Sequence, residues 1–83
     1  MDSEQWAELL RYASPRSIWV VTWQNRIIEL RCPFRVEVKE DIGVLKKNIV
    51  VPVSLVKIST AMITVFIIED QAYYYYHFNI LID

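Results

Sequence analysis

The stretch that decides the fold runs Ser17-Ile18-Trp19-Val20-Val21-Thr22-Trp23, Gln24-Asn25, Arg26-Ile27-Ile28-Glu29-Leu30-Arg31-Cys32, then, after Pro33, Phe34-Arg35-Val36-Glu37-Val38-Lys39. Its first segment is rich in Ile, Trp, Val and Thr and reads as a strand over 17–23. Gln24-Asn25 reads as a two-residue turn, because Asn tolerates positive φ. The return strand, 26–32, sets Ile28, Leu30 and Cys32 on one face and Ile27, Glu29 and Arg31 on the other. Pro33 donates no ladder hydrogen bond and marks an edge or a corner. Over 34–39, Phe34, Val36 and Val38 alternate with Arg35, Glu37 and Lys39, which predicts a half-buried strand with one solvated face.

Upstream of Pro15 the period differs. Trp6, Leu9, Leu10 and Ala13 fall at i, i+3, i+4 and i+7, which predicts an amphipathic helix over 3–13. Asp2 or Ser3 caps its start and Ser14-Pro15 stops it. Downstream, 40–48 reads as a long loop around Gly43, and strands are predicted over 49–59, 62–68 and 72–78, with Glu69-Asp70-Gln71 as a turn. Pro52 confines its strand to an edge or a bulge. The expected fold is therefore α+β and mainly β: an N-terminal helix, then five or six antiparallel strands in a strongly curved sheet or a small barrel. A long loop followed by three closely spaced strands is similar to the layout of SH3-like barrels. The acidic-aromatic signature and paired tryptophans of ligand-binding SH3 domains are not present, so no ligand residue carries over.

The 83 residues fit one domain over 1–83, and 54% of them are apolar, which suits the dense core a short chain needs. Nine basic and ten acidic residues leave a net charge of −1, without the basic excess that phosphate neutralisation requires. The single cysteine excludes an internal disulfide and a multi-cysteine metal site, and points to a reducing, cytoplasmic setting. Met1-Asp2-Ser3-Glu4 lacks the build of a signal peptide. The most apolar stretch, 49–68, is broken by Pro52, Ser54, Lys57, Ser59 and Thr60, so no membrane insertion is expected.

Candidate chemistry is sparse. Cys32 with the lone His77 is the minimum for a nucleophilic pair, but each reads more simply as a packed strand residue. No repeated ligand spacing suggests a metal, and one glycine in the chain excludes a Gly-rich phosphate loop and a serine nucleophile elbow. Glu40-Asp41 and Glu69-Asp70 read as solvated turn acids. No enzyme, cofactor or small-molecule substrate is inferred.

The individual feature is Tyr73-Tyr74-Tyr75-Tyr76. On a continuous strand Tyr73, Tyr75 and His77 would share one face and Tyr74, Tyr76 and Phe78 the other. One set can be core; the other is then covered by the helix or left for a partner. Trp19 and Trp23 share a face with Val21 opposite the equally apolar Ile18, Val20 and Thr22, and 62–68 repeats that pattern. Such two-faced strands predict an exposed apolar patch. The expected function is a non-enzymatic protein-interaction or assembly module, with Trp19, Trp23, Tyr74 and Tyr76 contacting a protein partner or a second copy. The alternative is a small-barrel nucleic-acid-binding protein, with Arg26, Arg31, Arg35, Lys46, Lys47 and Lys57 joining tyrosines in a single-strand groove. Glu29 and Glu37, interleaved on the same strands, favour solubilising charge instead.

Overall fold

The computed structural model describes the backbone of residues 6–82 and the side chains of residues 15–82. Nine strands follow one another: β1 (Trp6–Ser14), β2 (Ser17–Thr22), β3 (Ile27–Arg31), β4 (Phe34–Val38), β5 (Val50–Val53), β6 (Leu55–Ile58), β7 (Thr64–Ile68), β8 (Gln71–Tyr74) and β9 (Phe78–Leu81). A six-stranded sheet has the order β3-β2-β1-β9-β4-β5, and a three-stranded sheet has the order β6-β7-β8. Neighbours pair antiparallel throughout. A lone bridge joins Ile42 to Leu45 in the loop between β4 and β5.

The N-terminal helix expected over 3–13 does not form in the part described. Residues 6–14 are β1, residues 3–5 lie outside the described residues, and the helical content among the described residues is one 3-10 turn, Tyr75–His77. The misleading signal has a physical source. In the β1–β2 register Leu9 pairs with Val20 and Ala13 with Ile18, so four steps along β1 match two along β2. A bulge of this kind spaces successive paired backbone positions as i and i+4, the spacing of a helix face. Pairing with β2 and β9 then overrides the helical propensity of a segment rich in Ala, Leu, Glu and Arg, since tertiary context routinely outweighs propensity. Ser14-Pro15 does end the element, but as a hairpin turn: Ser14 pairs with Ser17.

The barrel is also corrected: neither sheet closes. Two long runs instead change sheets at corners. Residues 50–58 serve the first sheet as β5 and the second as β6, bending at Ser54. The Ser54 N–H (2.9 Å) and hydroxyl (3.1 Å) both donate to the Ile67 carbonyl, so the corner residue stays hydrogen-bonded. One residue pair further on, the Val56 N–H donates to the Pro15 carbonyl at 2.9 Å, tying β6 to the first hairpin. Residues 71–81 turn the second corner through Tyr75–His77, where the His77 carbonyl accepts the Lys39 N–H at 2.9 Å. The strand count exceeds five or six because each cornering run supplies two strands and the expected helix supplies another.

The core lies between the sheets. Ile18, Val20, Phe34, Val36, Val38, Val53, Phe78 and Ile80 from the first sheet meet Val56, Phe66 and Ile68 from the second, all buried. Phe66 is the hinge of this contact. Its ring stands edge-on to Phe34 (5.4 Å, 83°) and tilted to Phe78 (6.0 Å, 40°), the arrangements that aromatic quadrupoles favour.

With one glycine in the chain, turns rely on other residues at positive φ: Asn25, Asn48, Met62, Glu69 and Asp70. Two hairpins share one design. Thr22 hydroxyl accepts the Arg26 N–H (3.2 Å) around Trp23-Gln24-Asn25, and Ser59 hydroxyl accepts the Ile63 N–H (3.1 Å) around Thr60-Ala61-Met62. The third loop residue, Asn25 or Met62, takes the left-handed conformation, as three-residue hairpin loops require. The β2–β3 turn thus spans three residues rather than two. Glu69 and Asp70, both at positive φ, form a two-residue primed turn between β7 and β8.

Phe66→Ala should lower unfolding free energy by about 3–5 kcal/mol, measured by urea denaturation. Met62→Asn should raise stability by about 0.5–1 kcal/mol, since Met62 is 76% exposed and Asn visits the left-handed region at lower cost; a melting temperature a few degrees higher checks this.

Candidate aromatic interaction surfaces

The site residues expected from sequence fall into two patches on different sheets. Along β2, Ser17, Ile18, Val20 and Thr22 are buried while Trp19 and Val21 turn outward. β3 supplies the other half: Val21 pairs with Ile27 and Trp19 with Glu29. Trp23 follows in the hairpin loop, off the strand, and remains half exposed. Trp19 (41%), Trp23 (50%) and Ile27 (62%) together leave large apolar side chains in water. Ile27 was absent from the expected site; its signal was its place opposite Val21 across the hairpin. Inward from this row, Ile28, Leu30 and Cys32 are half-buried against the core.

The tyrosines do not alternate as a continuous strand would make them. A 3-10 turn advances three residues per revolution, so side chains from 75 onward splay around the corner. Tyr73 turns in, edge-on to Phe78 (5.9 Å, 85°). A Cβ added at Gly43, whose φ is +56°, would meet the Tyr73 hydroxyl at 3.3 Å; the ring therefore lies beneath the 40–48 loop. Leu45 anchors that loop in the core, and the Asp41 carboxylate accepts the Lys47 N–H at 2.8 Å. Tyr74, Tyr75 and Tyr76 all face out. The structure thus brings Tyr74 and Tyr76 together, stacked at 5.5 Å and 24°, with Tyr75 edge-on to Tyr76 at 5.7 Å. His77 tilts against Tyr76 at 4.7 Å. Beside them an open depression of about 310 Å³ is lined by Ser59, Val65, Ala72, Tyr73 and Tyr74.

Cys32 follows β3 and His77 closes the 3-10 turn before β9. Cys32 sits between β3 and β4, with burial pushing its thiol pKa up and Arg16 partly opposing that rise. His77 spends its ring contacts on Tyr76 and Phe78. Among the described residues no group of three His, Cys, Asp or Glu side chains is placed to hold a metal ion. A second depression, about 490 Å³, is lined by Leu30, Arg31, Pro33, Phe34, Arg35, Pro52, Leu81 and Ile82, a set without a nucleophile or a group that titrates near neutrality.

Among the described residues three basic side chains stand beside carboxylates. Arg31 approaches Glu29 at 3.6 Å, Lys46 approaches Asp41 at 4.0 Å, and Lys47 approaches Glu40 at 3.6 Å. On the tyrosine sheet, Lys57 pairs with Val65 and Val65 with Tyr74, which puts one cation in that row. Among the described residues no helix is long and apolar enough to cross a membrane.

Because its thiolate is disfavoured by burial, Cys32 should react with iodoacetamide more slowly in the native protein than in urea at the same pH, the reactive species being the thiolate. The raised folded pKa also fixes a sign: the unfolded chain loses its thiol proton first, so stability should fall as pH rises through the ordinary thiol range. Equal alkylation rates in both states would remove both statements. No protein-family model, curated protein or solved structure matches the chain.

Proposed function

We propose that this chain is a non-enzymatic protein-binding or assembly module that works through its outward aromatic and apolar strand faces. The observation that carries the proposal is the β2–β3 surface, where Trp19, Trp23 and Ile27 stand exposed together. Trp and Tyr are enriched at energetic centres of interfaces because they bury large area at low entropy cost. The stacked Tyr74–Tyr76 pair supplies a second, flatter platform of the same character. The free thiol of Cys32 accords with a reducing, cytoplasmic setting.

Nucleic-acid binding is the weaker reading. Single-strand grooves combine ring platforms with a continuous positive track, whereas three basic side chains here stand beside carboxylates.

An apolar-surface dye titrated onto the folded protein should brighten, and Trp19→Ser with Trp23→Ser should cut that signal by at least about half while the thermal transition stays cooperative. Affinity capture with the wild-type chain should retain a protein that the double variant loses. A chain that binds neither dye nor any protein, itself included, overturns the proposal.

A further inference from the structure

β3 ends the six-stranded sheet, and among the described residues nothing pairs with its outer edge. The hydrogen bonds on its inner side set the phase. Thr22 N–H donates to the Arg26 carbonyl (2.8 Å), and Cys32 N–H donates to the Arg16 carbonyl (2.7 Å). Antiparallel ladders alternate strictly, so Arg26, Ile28, Leu30 and Cys32 address β2. Ile27, Glu29 and Arg31 then turn their N–H and C=O groups outward. Five-residue edges with free backbone groups are templates for another strand.

We infer that the partner of this edge is β3 of a second copy, paired antiparallel about a two-fold axis at Leu30. The inference deepens the binding-module proposal and rests on it. Charge selects the register. With Leu30 opposite Leu30 of the second copy, Glu29 of each copy faces Arg31 of the other, twice over by symmetry. Shifting the axis to Glu29 would set that carboxylate against its own copy, and like charges directly opposite are destabilising. The chosen register is also a pair of the kind that exchanges both backbone hydrogen bonds, since Glu29 and Arg31 are the outward-bonding residues. On the inner face it sets Ile28 against Cys32, Leu30 against Leu30 and Cys32 against Ile28. All three are half-buried in one copy, so pairing would complete their burial. Isologous contacts of this type close after two copies, which leaves Trp19 and Trp23 of each copy on one widened outer face.

Sedimentation equilibrium on the full chain tests this at low salt, where charge pairing is least screened. The expected result is a concentration-dependent dimer. Glu29→Arg should weaken it by about tenfold, because two opposite-sign pairs become like-sign pairs. The double variant E29R/R31E should restore it, since exchanging the charges regenerates both pairs across the axis. Circular dichroism confirms that each variant folds. Cys32 alkylation should slow as the dimer fills. A wild-type monomer at the highest soluble concentration overturns the inference, as does a dimer indifferent to Glu29→Arg. If the monomer still brightens the apolar dye and captures another protein, the edge pairing alone falls and the binding module stands.

Discussion

Phe66 holds the two sheets against each other, and most of the architecture follows from keeping its ring dry. It projects from the middle strand of the smaller sheet onto Phe34 and Phe78 of the larger one. A ring this size, fully buried in a chain of 83 residues, represents a substantial part of the hydrophobic stabilisation. It can be enclosed only if both sheets approach it from different directions. The corners at Ser54 and Tyr75–His77 provide that approach by carrying one run of chain from sheet to sheet.

The corners also explain the aromatic surface. A tyrosine run on a regular strand would divide its rings between core and solvent. At the second corner Tyr73 and Phe78 take the interior, Tyr74 faces out at the end of β8, and the 3-10 turn leaves Tyr75 and Tyr76 exposed. Tyr74 and Tyr76 would share a face on a straight strand too; the bend adds Tyr75 beside them and sends Phe78 inward. The tryptophan patch has a separate origin: β2 is apolar on both faces, and one layer of sheet can bury only one of them.

Turn chemistry is the third constraint. Glycine is used once, at Gly43 over the Tyr73 ring, where the left-handed backbone and the close approach coincide. Elsewhere Ser and Thr hydroxyls receive the N–H groups that three-residue loops expose, and Asn, Glu, Asp and Met accept positive φ. Those residues carry a modest conformational cost that the hairpins on either side absorb.

Sequence alone determined the strands whose side chains keep period two. Phe34, Val36 and Val38 could be placed in the core because alternation is a local property of the backbone. The outward lean of Trp19 was legible for the same reason, and the turn at 69–70 from its run of acids between apolar segments. Tertiary structure decided the rest. Whether 6–14 is helix or strand depended on a bulge, and a bulge is defined only by a partner strand. Whether 49–59 and 72–78 stay straight depended on which sheet needed them at each end. That Tyr75 joins Tyr74 and Tyr76 in water while Phe78 turns inward followed from that bend, because side-chain direction is inherited from backbone geometry that pairing and packing impose, and no local pattern encodes it.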